Sequence, residues 1–412
     1  MTRAWFACVL AGIPWAAPAA GGELKYVACP GDLAIEPRTW HASSQEFRKP
    51  DPGMGTVHRG AVTVPLRCGR REILVAIDSR KPDAKAPDVV RFDLAGKGRF
   101  DDASAADLTV LVTRPDQQAF SARFGPVTLE MDRGGKTILV TVRGEYSKQL
   151  QFRWVQATFT VAAEAKCRFG DKICPVRIID GTGNLAIGDA AASIQRDGKI
   201  VGIQKGDTVA VGAADGSFAD SPKRTFYGQP VFLNDAWYRV KLSPDGREMS
   251  AEPVEGPTGY VRADCQKWQA LLVGRKYLIP VEGTRQPLPV PADQYAVRNY
   301  TEYAWRRVRG EPARTARFTC SGRREMYLGL ARMYDVPAGK TTELKFGSPL
   351  TADLSVRKSG RTVRFALDLK GAGGAQVDSI SVPPRSDRPE PPRIEVLDKA
   401  GKRLYQGSMR YG

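Results

Sequence analysis

Val127-Thr-Leu-Glu-Met131, Asp132-Arg133-Gly134-Gly135-Lys136 and Thr137-Ile-Leu-Val-Thr-Val142 decide the fold. In both outer runs apolar and polar side chains alternate, the period of a strand with one buried face. The Arg-Gly-Gly-Lys segment between them tolerates positive φ and reads as a hairpin turn, so the two runs should pair antiparallel.

Outward from this hairpin the same pattern recurs. Arg71 to Asp78 (REILVAID), Leu108 to Thr113 and Gln151 to Val161 are short, rich in β-branched or aromatic residues, and bounded by Gly, Pro, Asp or Lys. No run after the first residues sustains a helical stripe; short helices are expected only around Cys265 to Leu272 and Tyr300 to Arg307. The fold class expected is all-β, with several antiparallel β-sandwich or meander domains in tandem.

The chain has 412 residues, 7 cysteines and 2 histidines. Arg3, the apolar stretch Ala4 to Trp15 and Ala17-Pro18-Ala19 have the order of a cleaved export signal, and the apolar part is too short to span a bilayer. Export would place the protein in the periplasm or outside the cell and would remove Cys8. Cys29, Cys68, Cys167, Cys174, Cys265 and Cys320 remain, and cysteines in an exported chain favour disulfides. Their distribution in separated pairs suggests Cys29 with Cys68, Cys167 with Cys174, and Cys265 with Cys320. A zinc site is disfavoured, because no histidine lies close to any of them.

The domain organisation expected is a signal peptide over 1–20, a β-domain over 21–165, a second over 166–255, a third over 256–348 and a fourth over 349–412, which either lacks its final strand or is cut short in the sequence. Val90 to Asp102, Val176 to Asp189 and Val209 to Asp220 each lead from a strand into a loop rich in Asp and Gly. The first two resemble each other enough to suggest that 166–255 repeats part of 21–165.

Pro287 to Val297 (PLPVPADQYAV) and Val336 to Phe346 (VPAGKTTELKF) resemble pieces of transthyretin-like or carboxypeptidase-regulatory-like sandwich modules. The alternation in TADLSVRK, RTVRFALDL, DSISV, RIEVLD and RLYQGSMRY resembles an immunoglobulin-like sandwich. The whole resembles uncharacterised exported multidomain β-proteins of bacteria. The resemblance implies a fold and carries over no catalytic residue.

With His41 and His58 the only imidazoles, most of the chain has no histidine for metal binding or base catalysis, and no Gly-x-Ser-x-Gly turn accompanies them. Ala338-Gly339-Lys340-Thr341 imitates the end of a phosphate loop, but a strand pattern follows it. Calcium is the one cofactor the sequence offers: Asp180, Thr182, Asn184 and Asp189 place oxygen atoms near the spacing of a calcium loop, with metal-free turn formation as the alternative. Asn299-Tyr300-Thr301 has the composition of a glycosylation acceptor. Aromatics at Trp154, Trp237, Tyr238, Trp268, Tyr303 and Trp305 could line a sugar-binding face or fill cores.

The formal charge of +17 is scattered, so nucleic acid is not expected, nor is a transmembrane segment after the leader. Envelope polyanions, polysaccharides or proteins are the partners it suggests. The function expected is an exported, non-catalytic binding, adhesion or envelope-associated protein. The alternative is a secreted carbohydrate-active hydrolase with paired carboxylates.

Overall fold

The computed structural model describes residues 21–29, 39–68, 71–101, 104–114, 119–133, 135–149, 152–218, 223–307, 315–323, 333–360, 362–374, 377, 379–381 and 393–408; side chains over 304–332 are not described. The expected signal peptide, the Pro-rich stretch 383–392 and Asp220 lie outside these residues. The described elements are strands and short 3-10 turns in multiple sheets, an all-β protein.

The first unit comprises Met1–Asp189 and Gly206–Val254. It opens with β1 (Gly22–Glu23), β2 (Lys25–Val27), β3 (Thr39–Ser43), β4 (Val62–Cys68), β5 (Arg71–Asp78), β6 (Val89–Asp93), β7 (Ala105–Arg114), β8 (Ala119–Arg133), β9 (Lys136–Gln149), β10 (Phe152–Phe169) and β11 (Lys172–Ile179). Strands β4 to β11 pair in sequence order, the low-cost solution when neighbours in the chain are joined by tight turns. The β8–β9 hairpin closes at Arg133 and Lys136, with Gly135 at φ 75°. Farther along β8 the register shifts between Phe124 and Val127, where a side chain at Gly125 would come within 2.6 Å of the Val142 carbonyl oxygen.

Strand β10 organises the unit. Phe152 to Val161 pair with β9, and Ala162 to Phe169 pair with β11. β3 and β2 pair with β10 as well, at Trp154 to Thr158 and at Ala162 to Glu164. Val155, Ala157, Phe159 and Val161 enter a core lined by β4 to β9, whereas Ala165, Cys167 and Phe169 enter another with β11. Val161, Ala162 and Ala163 are all buried at the crossover, so both faces of the strand are covered there. The segments 21–165 and 166–255 thus share one strand and one sheet.

The chain then forms the hairpin β12 (Ala192–Arg196) and β13 (Lys199–Gln204), which belongs to the second unit, and returns as β14 (Thr208–Val211), β15 (Lys223–Phe226), β16 (Pro230–Leu233), β17 (Ala236–Leu242) and β18 (Glu248–Pro253). β14 and β15 extend the sheet beyond β11, and β1-β18-β17-β16 form a second sheet. Val231, Tyr238, Val240 and Met249 from the latter meet Cys174, Val176, Ile178 and Val209 from the former, a two-layer sandwich.

The second unit comprises Ala190–Lys205 and Glu255–Gly412. Its strands are β19 (Thr258–Arg262), β20 (Lys267–Gly274), β21 (Leu278–Gly283), β22 (Leu288–Pro291), β23 (Asp293–Arg307), β24 (Thr315–Arg323), β25 (Met333–Val336), β26 (Thr341–Glu343), β27 (Thr351–Ser359), β28 (Thr362–Lys370), β29 (Ser379–Ser381), β30 (Arg393–Leu397) and β31 (Arg403–Ser408). One sheet runs β22-β19-β26, with β19 and β26 parallel, and the other runs β21-β20-β23-β24-β29, with β25 also on β23. Their shared core centres on Trp268, Tyr295, Tyr300 and Phe346; the Trp268 indole N–H donates to the Thr284 carbonyl at 2.8 Å.

Both short helices expected from the sequence are strands, β20 and the end of β23. Trp268, Ala270 and Leu272 are buried while Lys267 and Gln269 are exposed. Period two, over too few residues to display a helical stripe, is the pattern realised.

Candidate functional site

The four residues expected to hold calcium do come together, in the loop after β11. Asp180 is wholly buried, and its carboxylate accepts the backbone N–H groups of Thr182 (3.0 Å), Gly183 (2.6 Å) and Leu185 (2.8 Å). The Asp189 carboxylate accepts the Thr182 hydroxyl at 2.8 Å and the Asn184 amide at 2.6 Å. A further carboxylate, which the sequence did not single out, completes the cluster. Asp207, also wholly buried, accepts Gly181 N–H at 3.1 Å, Gly188 N–H at 2.7 Å and Asp189 N–H at 2.9 Å, while its own N–H donates to the Asp189 carbonyl at 2.8 Å. A side chain at Gly181 would approach the Gly206 carbonyl oxygen to 2.6 Å, so glycine permits the two chain segments to lie together.

Donors of the protein itself therefore occupy these carboxylates. Calcium is held by six to eight oxygens, whereas here both oxygens of Asp180 and of Asp207 and one of Asp189 already accept hydrogen bonds. Among the described residues, no group of three or more His, Cys, Asp or Glu side chains is arranged to hold a metal ion. Burial drives the Asp207 carboxyl up to about 7, the neighbouring charges of Asp180 and Asp189 add to the rise, and the N–H groups of Asp189 and Gly181 oppose it. Asp180 is raised as well, by burial first, against the hydrogen bonds of its own loop.

The same device closes other strand ends. Asp78 at the end of β5 accepts Val57, His58 and Ser79 N–H groups and pairs with Arg91 at 3.2 Å, both side chains being buried. Asp93 at the end of β6 accepts Lys97 and Gly98 N–H groups at 2.9 and 2.6 Å. The local likeness between the Asp93 and Asp180 loops, noted in the sequence, is thus one of hydrogen-bonding plan. His58 is committed likewise: its Nε2 donates to the Ala84 carbonyl at 2.8 Å, and its Nδ1 accepts Gly60 N–H at 3.2 Å. Of the candidate sugar-stacking aromatics, Trp237, Tyr238 and Trp268 are buried in cores, Trp154 and Tyr303 are half-buried, and the Trp305 side chain is not described.

Cys167 and Cys174 face each other directly across β10 and β11 and are buried in thiol form. Burial drives the Cys167 thiol up to about 12, with the Cys174 sulfur adding to the rise. Cβ atoms of directly opposed residues lie about 4.5–5.5 Å apart, a short approach from the roughly 3.5–4.5 Å of a disulfide. Cys68 is buried at the end of β4, Cys29 donates its N–H to the Thr141 hydroxyl at 3.1 Å, Cys265 is buried in the second unit, and the Cys320 side chain lies outside the described residues.

Exposed apolar side chains gather on strands. Val110, Leu111 and Val112 lie on β7; Leu354, Val356 and Val363 on β27 and β28; Leu397, Leu404 and Tyr405 on β30 and β31. The β27–β28 pair is a two-stranded sheet with no further described strand beside it. No helix among the described residues is long and apolar enough to cross a membrane, a statement that leaves strands aside. Comparison of the chain with protein-family models, curated proteins and solved structures finds no match.

Proposed function

We propose that this chain is an exported, non-catalytic binding protein of the cell envelope that recognises a polyanionic surface. The observation that carries this reading is the set of large apolar side chains left in solvent on β27–β28 and β30–β31 of a protein with a formal charge of +17. Contiguous exposed apolar patches mark interaction sites, and net positive charge draws anionic partners. The buried aspartates support the non-catalytic part, since Asp180 and Asp207 are spent on backbone donors. Export would also provide the disulfide oxidant to which Cys167 and Cys174 would lose two protons and two electrons on pairing.

Retention of the chain on lipopolysaccharide, on acidic polysaccharide and on envelope fractions tests the reading. Binding that weakens as salt rises is expected. Passage through all of them at low salt would remove it.

A further inference from the structure

The β27–β28 hairpin carries an assignment more specific than a general affinity for polyanions, and it rests on the envelope-binding reading above. Each strand is 9 residues long. Direct opposition of Ala352 with Leu369, Leu354 with Leu367, Val356 with Phe365 and Lys358 with Val363 puts these side chains on one face. The other face pairs Thr351 with Lys370, Asp353 with Asp368, Ser355 with Ala366, Arg357 with Arg364 and Ser359 with Thr362. The hairpin is therefore amphipathic by its two faces. Every described residue of β27 is exposed, and Phe365, Leu367 and Leu369 are only half-buried.

Charge is sorted along its length as well. Asp353, Asp368 and Lys370 lie at the end near the body of the unit, where Lys370 pairs with Asp353. Toward the turn at Gly360 come Lys358 and the opposed pair Arg357 and Arg364, none with an ion-pair partner among the described residues. Like charges directly opposite destabilise a strand pair, so this placement has a cost that an anion outside the chain would offset.

We propose that the β27–β28 hairpin docks on an anionic lipid bilayer, with Leu354, Val356, Val363, Phe365, Leu367 and Leu369 against the acyl boundary and Arg357, Lys358 and Arg364 among the headgroup phosphates. The outer strand edges carry backbone groups that the hydrocarbon core could not satisfy, so the hairpin lies in the interface and does not cross it. The polar zone of one leaflet is only about 5–7 Å deep. A hairpin resting on its floor holds its backbone, and the roots of the opposite-face arginines, at phosphate depth. Lys358, on the apolar face beside the turn, reaches the same layer by extending its ammonium along the surface. A soluble acidic polysaccharide would answer the arginines and leave the aliphatic face in water. A second copy packed face to face would cover the aliphatic face and leave Arg357 and Arg364 unanswered.

The test is flotation of the full chain with vesicles of phosphatidylcholine alone and of phosphatidylcholine containing phosphatidylglycerol, at low and high salt, with sedimentation velocity on the protein alone. Flotation with the anionic vesicles only, weakened by salt, is expected. The double substitution R357Q/R364Q should weaken it on the order of thirtyfold, and L354D/L367D should abolish it while the cooperative melt of the rest of the chain is retained. The assignment is overturned if the chain fails to float, if it floats equally on both vesicles, or if neither variant changes its flotation. A dimer that L354D/L367D converts to a monomer would overturn it in favour of a second copy. Retention on polysaccharide without flotation would remove the hairpin assignment and keep the broader reading, whereas loss of both would remove both.

Discussion

The Asp180–Asp207 loop of the first unit and the β27–β28 hairpin of the second put charge to opposite uses. In the loop, Asp180 and Asp207 are wholly buried and Asp189 half-buried, and their carboxylates accept the loop's own N–H and O–H groups. In the hairpin, the cations Arg357, Lys358 and Arg364 and the aliphatic Leu354, Val356 and Val363 alike stand in solvent. Sequence motifs pointed to the loop, because clustered Asp, Asn and Gly look like a ligand site. The hairpin has no motif, but it holds apolar surface with no further described strand beside it. Residue type alone therefore does not say whether a charge is held by the fold's own donors or left to solvent.

The largest effect should come from breaking the buried polar scaffold on the loop side of this contrast. Arg91→Ala leaves the buried Asp78 carboxylate without its cation, and the first unit should lose about 3–5 kcal/mol in urea unfolding. A loss under about 1 kcal/mol would show that the ion pair does not hold the Asp78 junction.

Next comes pH. Asp207 is raised from 3.8 to about 7 in the folded chain, so the folded state holds its proton more tightly than the unfolded state. Its contribution is fully present below the unfolded value and is lost as pH rises toward 7. Thermal melts should therefore show stability falling from about pH 4 to about pH 7, and Asp207→Asn should reduce that slope, leaving the smaller part that the raised Asp180 contributes. An unchanged slope in the variant would assign it to other groups.

Joining Cys167 to Cys174 closes a short loop, worth about 2–3 kcal/mol by chain entropy. Non-reducing peptide mapping of exported protein should find this pair, and reduction should lower stability by that amount; a map with both residues as thiols would break the pairing. On the hairpin side, Leu354→Asp should change unfolding free energy by less than about 0.5 kcal/mol, as for exposed positions generally. A cost above about 2 kcal/mol would mean that the apolar face is covered in the free protein. Smallest of all, melts with calcium and with chelator should superimpose, since both Asp180 oxygens and Asp189 Oδ2 accept hydrogen bonds from protein donors; a calcium-dependent rise would reverse the contrast.

Much of the fold was legible because strand period and turn chemistry are local. Arg71 to Asp78 matches β5 residue for residue, and the Arg133 to Lys136 turn joins β8 and β9. The strands around Trp268 and Tyr303 were misread as short helices, since only a few residues of each run reveal its period. The exchange of partners at Val161 and Ala162 left no local trace, because it depends on which strands arrive from far along the chain. At the candidate site, the gathering of Asp180, Thr182, Asn184 and Asp189 was legible from spacing. Asp207 was not, for it meets Gly181 across 26 residues, and no spacing rule reports that the donors are internal. The hairpin's alternation was visible in RTVRFALDL, whereas the absence of a described third strand beside it is a tertiary fact.

Amide hydrogen exchange with and without phosphatidylglycerol-containing vesicles tests the central contrast most directly. The account predicts that amides of residues 351–370 exchange fast in the free chain and become protected on vesicles, while those of residues 180–189 and 207 stay slow in both. Protection that appears at 180–189 and 207 on vesicles, with 351–370 unchanged, would contradict it.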